Sequence, residues 1–388
     1  MPPRLRIVAD KNIPYVESAF AALGEVVLLP SSALDAKAVR EADLLLVRST
    51  VKVGAPLLEG SRVRFVATAT IGTDHLDIAY LDAKAIRWAS APGSNAPSVA
   101  QWWASAVLTV ATARIGKLAG LVVGVVGAGN VGKRVERVAA ALGCTVLRND
   151  PPRAHAEGPD GFVSLDELCT RADIVTLHVP LTAEGPYRTH HLFDADRLGR
   201  MRQGAWLVNA SRGPVVHGQA LIAARSTSQI GAALLDVFEG EPGVPPALID
   251  AADLATPHIA GHSLDGKAAG TEMVYRAACQ FLDVKASWLP RRALPPLATA
   301  AIALDARDLD DEAAALMVLR RFYRIEEDDA ALRHLAKLPD ADRGRAFQTY
   351  RDAYGPRREP AGVSIQMRPP RLRALHLLEA LGATPRND

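Results

Sequence analysis

The sequence predicts an α/β protein made of two doubly wound parallel-sheet domains and a smaller C-terminal unit. Three observations carry that expectation. Up to about residue 256, short apolar runs, many of them β-branched, alternate with helix-period stretches. Strands have this pattern when a parallel sheet is covered on both faces. One run, Val122–Val126, leads straight into Gly127-Ala128-Gly129-Asn130-Val131-Gly132, followed by a helical stripe of Val131, Val135, Val138, Ala139 and Leu142 closed by Gly143. Past a proline-bearing boundary at Arg291–Pro296, helix patterns and one strand pattern resume.

In chain order, Ile7-Val8-Ala9 reads as a strand and Pro14 to Leu23 as a helix stopped by Gly24. Val26–Leu29, Leu44–Val47 and Phe65–Thr68 read as further strands. Asn95-Ala96-Pro97-Ser98 interrupts the pattern, with Ser98 placed to cap a helix from Val99 to about Ile115. That helix is apolar nearly all round, through Trp102, Trp103, Val107, Leu108 and Val110, which predicts burial between domains. Strands follow at 145–149, 174–179, 205–209 and 232–236. A helix from His262 to about Ala286 is expected to return to the first domain. The expected domains are residues 1–97 with 257–290, residues 98–256, and residues 291–388. The last unit has helix patterns near Asp311–Arg324 and Asp329–Lys337, a strand at Val363–Met367, and a leucine stripe at 372, 375, 378 and 381.

The strand–glycine–helix context is what a dinucleotide-binding turn requires. Gly127 permits the tight turn, Gly129 lets backbone approach a pyrophosphate, and Gly132 lets helix and strand pack closely. Asn130 and Val131 lie within the fingerprint and count as cofactor contacts. Val179, at the end of the strand begun by Ile174, counts as another. Asp150 ends the next strand about twenty residues on, where an acid binds the adenosine ribose hydroxyls. Its charge would repel a 2′-phosphate, so NAD is expected rather than NADP.

The 388 residues carry a formal net charge of +2 with no block of one sign, which argues against a nucleic-acid or anionic-membrane partner. No apolar run reaches the roughly 18 residues of a membrane span. Cys144, Cys169 and Cys279 form neither a metal pattern nor a disulfide framework. A soluble, cytoplasmic protein without a metal is expected.

In a doubly wound sheet, ligands sit beyond the C-terminal strand ends. Here those ends carry Pro180, Ser211-Arg212-Gly213, Asp236 and Pro257-His258. An NAD-linked oxidation of a 2-hydroxy acid needs a cation for the carboxylate, a base for the hydroxyl proton and an acid to orient that base. Arg212 suits the first role through its planar fork. His258 suits the second, and Glu239 and Glu241 are both placed to partner it. His75, His178, His190 and His191 fit no comparable set, and His190-His191 reads as a solvated pair.

These motifs resemble the D-isomer-specific 2-hydroxyacid dehydrogenases. The resemblance rests on Gly-x-Gly-x-x-Gly with Asp150, Asn-Ala-Ser-Arg-Gly at 209–213, Asp-Val-Phe-Glu-Gly-Glu-Pro at 236–242 and Thr-Pro-His-Ile-Ala-Gly at 256–261. It implies a flavodoxin-like substrate domain, a Rossmann NAD domain and a C-terminal α+β dimerisation domain in a homodimer. It assigns Arg212 to substrate, Glu241 to assisting the histidine, His258 to acid–base work, and Asp236 and Gly261 to the cofactor. Narrower matches at 47–50 and 68–75 imply a branch acting on a phosphorylated 2-hydroxy acid, with Ser49, Thr70 and His262 as substrate contacts. Close members carry Tyr at the position of His262. Arg48, beside Ser49, is the local candidate for a distal phosphate, with Arg357-Arg358 as the alternative. Another 2-hydroxy acid, such as phosphoglycerate, remains open as substrate. So does a non-catalytic NAD-sensing protein on the same fold, although Arg212, Glu241 and His258 together argue against it.

Overall fold

A computed structural model describes residues 4–386. It divides into two compact units: residues up to Asn95 with Ser263–Pro296, and Ala96–His262 with residues from Leu297 on.

The first unit is a five-stranded parallel sheet of β1 (Leu5–Asp10), β2 (Gly24–Leu29), β3 (Leu44–Val47), β4 (Phe65–Thr68) and β5 (Arg87–Ala89), in the order β2-β1-β3-β4-β5. Every residue of β3 and β4 is buried, as runs without polar alternation require. Strand order reverses between β1 and β3, so the crevice for a ligand opens at their C-terminal ends, where Asp10 and Arg48 stand. The helix Leu264–Phe281 is capped by Ser263, whose Oγ accepts from the Gly266 N–H at 2.8 Å. Its Val274, Tyr275, Ala278 and Cys279 complete the core over Ile7, Leu46 and Phe65.

The second unit holds a six-stranded parallel sheet of β6 (Val122–Val126), β7 (Thr145–Asn149), β8 (Ile174–Leu177), β9 (Ala205–Asn209), β10 (Ile230–Leu235) and β11 (Leu254–Ala255). The order β11-β10-β9-β8-β6-β7 puts the reversal between β6 and β8, directly over the glycine turn. A small parallel sheet of β12 (Ala301–Asp305), β13 (Ser364–Arg368) and β14 (Thr384–Pro385) follows. With it come helices Asp311–Leu319, Ile325–Leu335, Asp340–Asp352 and Leu372–Ala380.

The described chain from Leu297 on packs its apolar side chains against residues 96–262. One continuous core runs from Trp102, Trp103 and Val107 through Val135 and Val138 to Leu316, Leu319, Leu375 and Leu378. Leucines 375, 378 and 381 of the C-terminal stripe therefore face inward, and only Leu372, 64% exposed, points out. One expectation is corrected. The long helix begins at Ala96, because Pro97 fits the first turn, where no N–H is needed. Ser98 is thus inside the helix, and its Oγ donates instead to the Ala260 carbonyl at 2.7 Å.

Candidate active site

The glycine turn has the shape its sequence calls for. Gly127 has φ +89°, which a side chain rarely adopts, and a Cβ there would lie 2.6 Å from the His178 carbonyl oxygen. A Cβ on Gly132 would lie 2.0 Å from the Gly127 oxygen, so helix and turn touch backbone to backbone. A Cβ on Gly129 would meet nothing within 4 Å. That open space lies at the start of the helix Gly132–Ala141, whose first N–H groups lack intrahelical partners, and it fits a pyrophosphate.

Asp150 closes the turn from the side. Its Oδ2 accepts from the Ala128 N–H at 2.9 Å, and its Oδ1 accepts from the Arg153 N–H at 3.2 Å, capping the helix Pro151–Glu157. Arg153 reaches back to the Ala128 carbonyl at 2.7 Å and pairs with Glu157. Val179 adjoins the turn, with its Cγ1 2.9 Å from where a Gly127 Cβ would stand.

Three neighbouring strands carry the reactive group of side chains. β9 leads to Arg212, β10 to Glu241 and β11 to His258. Asn209 fixes the first approach: its Oδ1 accepts from the Ser211 N–H and hydroxyl, and its Nδ2 donates to the Arg212 carbonyl. Gly213 admits no side chain, since a Cβ would sit 2.0 Å from the Phe238 oxygen. The Arg212 turn is therefore seated on the segment that carries Glu241. Glu241 Oε1 accepts from the Phe238 N–H at 2.7 Å, and its Oε2 lies 2.7 Å from His258 Nδ1. This contact puts a hydrogen on Nδ1 and leaves Nε2 as the basic nitrogen. Of the two candidate carboxylates, Glu241 is the one that meets His258.

His258 itself has φ 55°, a left-handed conformation that costs a non-glycine residue about 1–3 kcal/mol and persists only where its surroundings enforce it. Asp236 is part of that enforcement. Its carbonyl accepts from the His258 N–H at 2.7 Å. Its carboxylate accepts from the Ile259 and Ala260 N–H groups and from the Thr256 hydroxyl at 2.6–2.9 Å. Burial raises the Asp236 carboxyl above its ordinary range, against the lowering effects of His258 and these donors. Asp236 is 1% exposed, and its carboxylate holds the histidine turn. Gly261 and His262 end that turn, and the His262 ring stands edge-on to Tyr354 at 5.9 Å.

In the first unit, Arg48 and Ser49 follow β3 and Thr70 follows β4. Arg48 is half-buried, and its side chain makes no ion pair among the described residues. The Thr70 hydroxyl shares a 2.7 Å hydrogen bond with Thr68, which in turn meets His75 Nε2 at 2.9 Å. Nearby, buried Asp10 accepts from the Ser31 hydroxyl at 2.6 Å, and Thr50 donates to Ser31. The second chain joins residues at or just past the ends of three separate strands, β1, β2 and β3, a grouping that linear spacing does not show.

His190 and His191 are not a solvated pair. Their rings stack at 3.9 Å, and His191 Nε2 contacts Glu239 Oε1 at 2.5 Å, while Glu239 Oε2 accepts from the Gly218 N–H. These three side chains are the one group among the described residues close enough to hold a metal ion. His178 is half-buried, meets Thr176 through Nε2, and is held down to about 3 by desolvation of its ring. It is neutral at physiological pH. Among the described residues, no helix is long and apolar enough to cross a membrane.

The NAD-binding domain model of the D-isomer specific 2-hydroxyacid dehydrogenases matches residues 95–260. The chain is 51% identical to an erythronate-4-phosphate dehydrogenase of Salinibacter ruber over 92% of both chains. It is 46% identical to one of Pseudomonas syringae pv. tomato over 98% of this chain and 99% of that one. Among solved structures, Aquifex aeolicus D-lactate dehydrogenase, complexed with NAD and lactic acid, aligns with TM-score 0.58 and 25% identity over 72% of this chain and 95% of that one. Holo D-mandelate dehydrogenase of Rhodotorula graminis has the same fold, with TM-score 0.62 and 24% identity over 72% and 94%. The chain belongs to the D-isomer specific 2-hydroxyacid dehydrogenases, NAD-dependent α/β oxidoreductases, and within them to the erythronate-4-phosphate dehydrogenases.

Proposed function

We propose that the protein oxidises 4-phospho-D-erythronate at C2 to 2-oxo-3-hydroxy-4-phosphobutanoate, a step of pyridoxal 5′-phosphate biosynthesis. The observation that carries the mechanism is the 2.7 Å pairing of His258 Nδ1 with Glu241, on a strand end next but one to Arg212. NAD, held by Gly127, Gly129, Asn130, Val131, Gly132, Asp150 and Val179, supplies the acceptor for the hydride from C2. Arg212 binds the substrate carboxylate and the C2 oxygen. His258 Nε2 takes the hydroxyl proton as the carbonyl forms. Glu241 stabilises the resulting imidazolium and keeps the ring in register. Gly261, in the same turn, would also contact the cofactor.

Ser49, Thr70, His262 and Arg48 are the proposed remaining substrate contacts. An unpaired guanidinium at a strand end suits a phosphate, which favours Arg48. Arg357, of the other candidate pair, is buried, and its two terminal nitrogens are spent within the protein. The protein is proposed to be a cytoplasmic homodimer. Three free cysteines suit a reducing compartment, and the exposed Leu372 and Met317 suit a contact made by the C-terminal chain.

NADH absorbance with 4-phosphoerythronate, unphosphorylated erythronate, 3-phosphoglycerate and lactate tests the reading. 4-Phosphoerythronate is expected to give the highest kcat/KM, and His258→Ala is expected to lower kcat by about 10²–10⁴. Arg48→Lys is expected to reduce kcat/KM for the phosphorylated substrate more than for erythronate. Preference for another acid would reassign the substrate. NAD binding without turnover on any of them would leave a sensing protein.

A further inference from the structure

We propose that Arg357 and Arg351, from the C-terminal chain, are positioning residues that hold the His258 turn in its left-handed conformation. The proposal rests on His258 being the proton acceptor. It starts from how the turn is held on its two sides. The N–H groups of residues 258, 259 and 260 all go to Asp236, by way of its carbonyl and its carboxylate. The three carbonyls go to cations. His258 O accepts from Arg351 Nε at 3.3 Å, Ile259 O accepts from Arg357 Nη1 at 3.4 Å, and Ala260 O accepts from Arg357 Nη2. The 258–259 and 259–260 peptides are thus each gripped between the Asp236 carboxylate and a guanidinium, which orients them more firmly than neutral partners do.

Arg357 is itself immobilised. It is 6% exposed and also donates from Nη2 to the carbonyl and hydroxyl of Ser98. Its guanidinium lies 4.3 Å over the Tyr323 ring. The Tyr323 and Tyr354 hydroxyls both donate to Asp328 Oδ2, and Tyr350 donates to Oδ1 of the same buried carboxylate. Arg351 is half-buried against Phe347 and Gln348. A planar fork with several fixed donors can satisfy adjacent carbonyls where a lysine could serve only part of them. Without the clamp, the turn relaxes out of φ 55° and carries the imidazole away from Glu241.

The test uses the full-length protein with Arg351→Met, Arg357→Lys and Arg357→Met, each alone and combined with His258→Ala. Arg351→Met keeps the aliphatic stem and removes a single turn contact, so it reports even if Arg357→Met does not fold. Misplacing a reacting group by about 1 Å costs about 10²-fold in rate. Arg357→Met is therefore expected to lower kcat about 100-fold and Arg351→Met about 10-fold, with Arg357→Lys recovering part of the loss. KM for substrate and the NADH dissociation constant, read by fluorescence, are expected to stay within about twofold. In the His258→Ala background the arginine variants are expected to cost nothing further. The proposal is overturned if Arg351→Met and Arg357→Lys keep the wild-type kcat, if their losses multiply with that of His258→Ala, or if they weaken NADH binding as much as they slow turnover. A fully active His258→Ala enzyme would instead remove the acid–base assignment on which the proposal stands.

Discussion

Replacing Gly129 by Ala adds one methyl group in open space, at a position outside the left-handed region. The same change at Gly132 puts the methyl 2.0 Å from the Gly127 oxygen and 3.2 Å from Val125 Cγ1. Ordinary contact begins at 3.4 Å, so helix and turn must part by more than an ångström in the second case only. Overpacking of this kind costs about 1–3 kcal/mol, which in a domain of this size lowers Tm by roughly 2–12 °C. Gly129→Ala carries no such cost, and a less flexible unfolded chain adds about 0.4–1 kcal/mol to its stability. Its methyl instead stands where the pyrophosphate must approach, so the NADH dissociation constant is expected to rise at least about tenfold, or 1.4 kcal/mol. Thermal unfolding of the free protein and NADH fluorescence titration read the two effects separately. If Gly129→Ala lowered Tm as far as Gly132→Ala and bound NADH normally, the division of labour between the two glycines would be wrong.

Asp150→Ser keeps a helix-capping oxygen and removes the charge facing a 2′-phosphate. The NAD over NADP preference in kcat/KM is expected to narrow at least about fivefold, the value of one screened Coulomb contact of about 1 kcal/mol, and an unchanged ratio would place the discrimination elsewhere. In Glu241→Gln an amide supports the imidazolium less than a carboxylate does. Because His258 takes a proton in the oxidative direction, kcat for oxidation is expected to fall about 10-fold, with the NADH dissociation constant unchanged. An unchanged kcat would separate Glu241 from the histidine. Folded His178 stays neutral down to about pH 3, while unfolded it takes a proton near its ordinary 6.5. The unfolded state therefore binds more protons between those values, and stability falls as pH drops below 6.5, by up to about 1.4 kcal/mol per unit. Urea unfolding of His178→Asn at pH 5 and 7 is expected to show a smaller loss than wild type, and equal losses would contradict the burial of this ring.

The strand ends were legible because parallel strands buried on both faces write themselves as unbroken apolar runs, and the chemistry follows each run by a fixed few residues. Gly127, Gly129 and Gly132 were legible for the same local reason. What escaped depends on distant partners. Ser98 has the composition of a cap, but Pro97 moved the helix start and a carbonyl 162 residues away claimed the hydroxyl. The helix Asp340–Asp352 buries only Phe347, so it has no apolar period to read. Arg351 looks like an ordinary surface charge and Arg357 like a phosphate ligand until the fold brings both to a turn more than 90 residues earlier. The leucines at 375, 378 and 381 advertised an apolar face, and periodicity alone could not say that the covering surface lay within the same chain.

The shared core of the second unit has a consequence for how the protein is made. When the ribosome has finished β11, the helices Ala96–Arg114 and Gly132–Ala141 already exist in sequence, yet Leu316, Leu319, Leu375 and Leu378, which cover them, have not been synthesised. At about 5–20 residues per second, the roughly 120 residues from there to Leu378 take about 6–25 s to follow. Throughout that interval the nascent chain displays a broad apolar face with no domain boundary behind which to hide it. Dependence on chaperones, and the loss of soluble product from frameshifts, are therefore expected to concentrate in the segment from Leu297 on, well past the proposed NAD contacts along the chain.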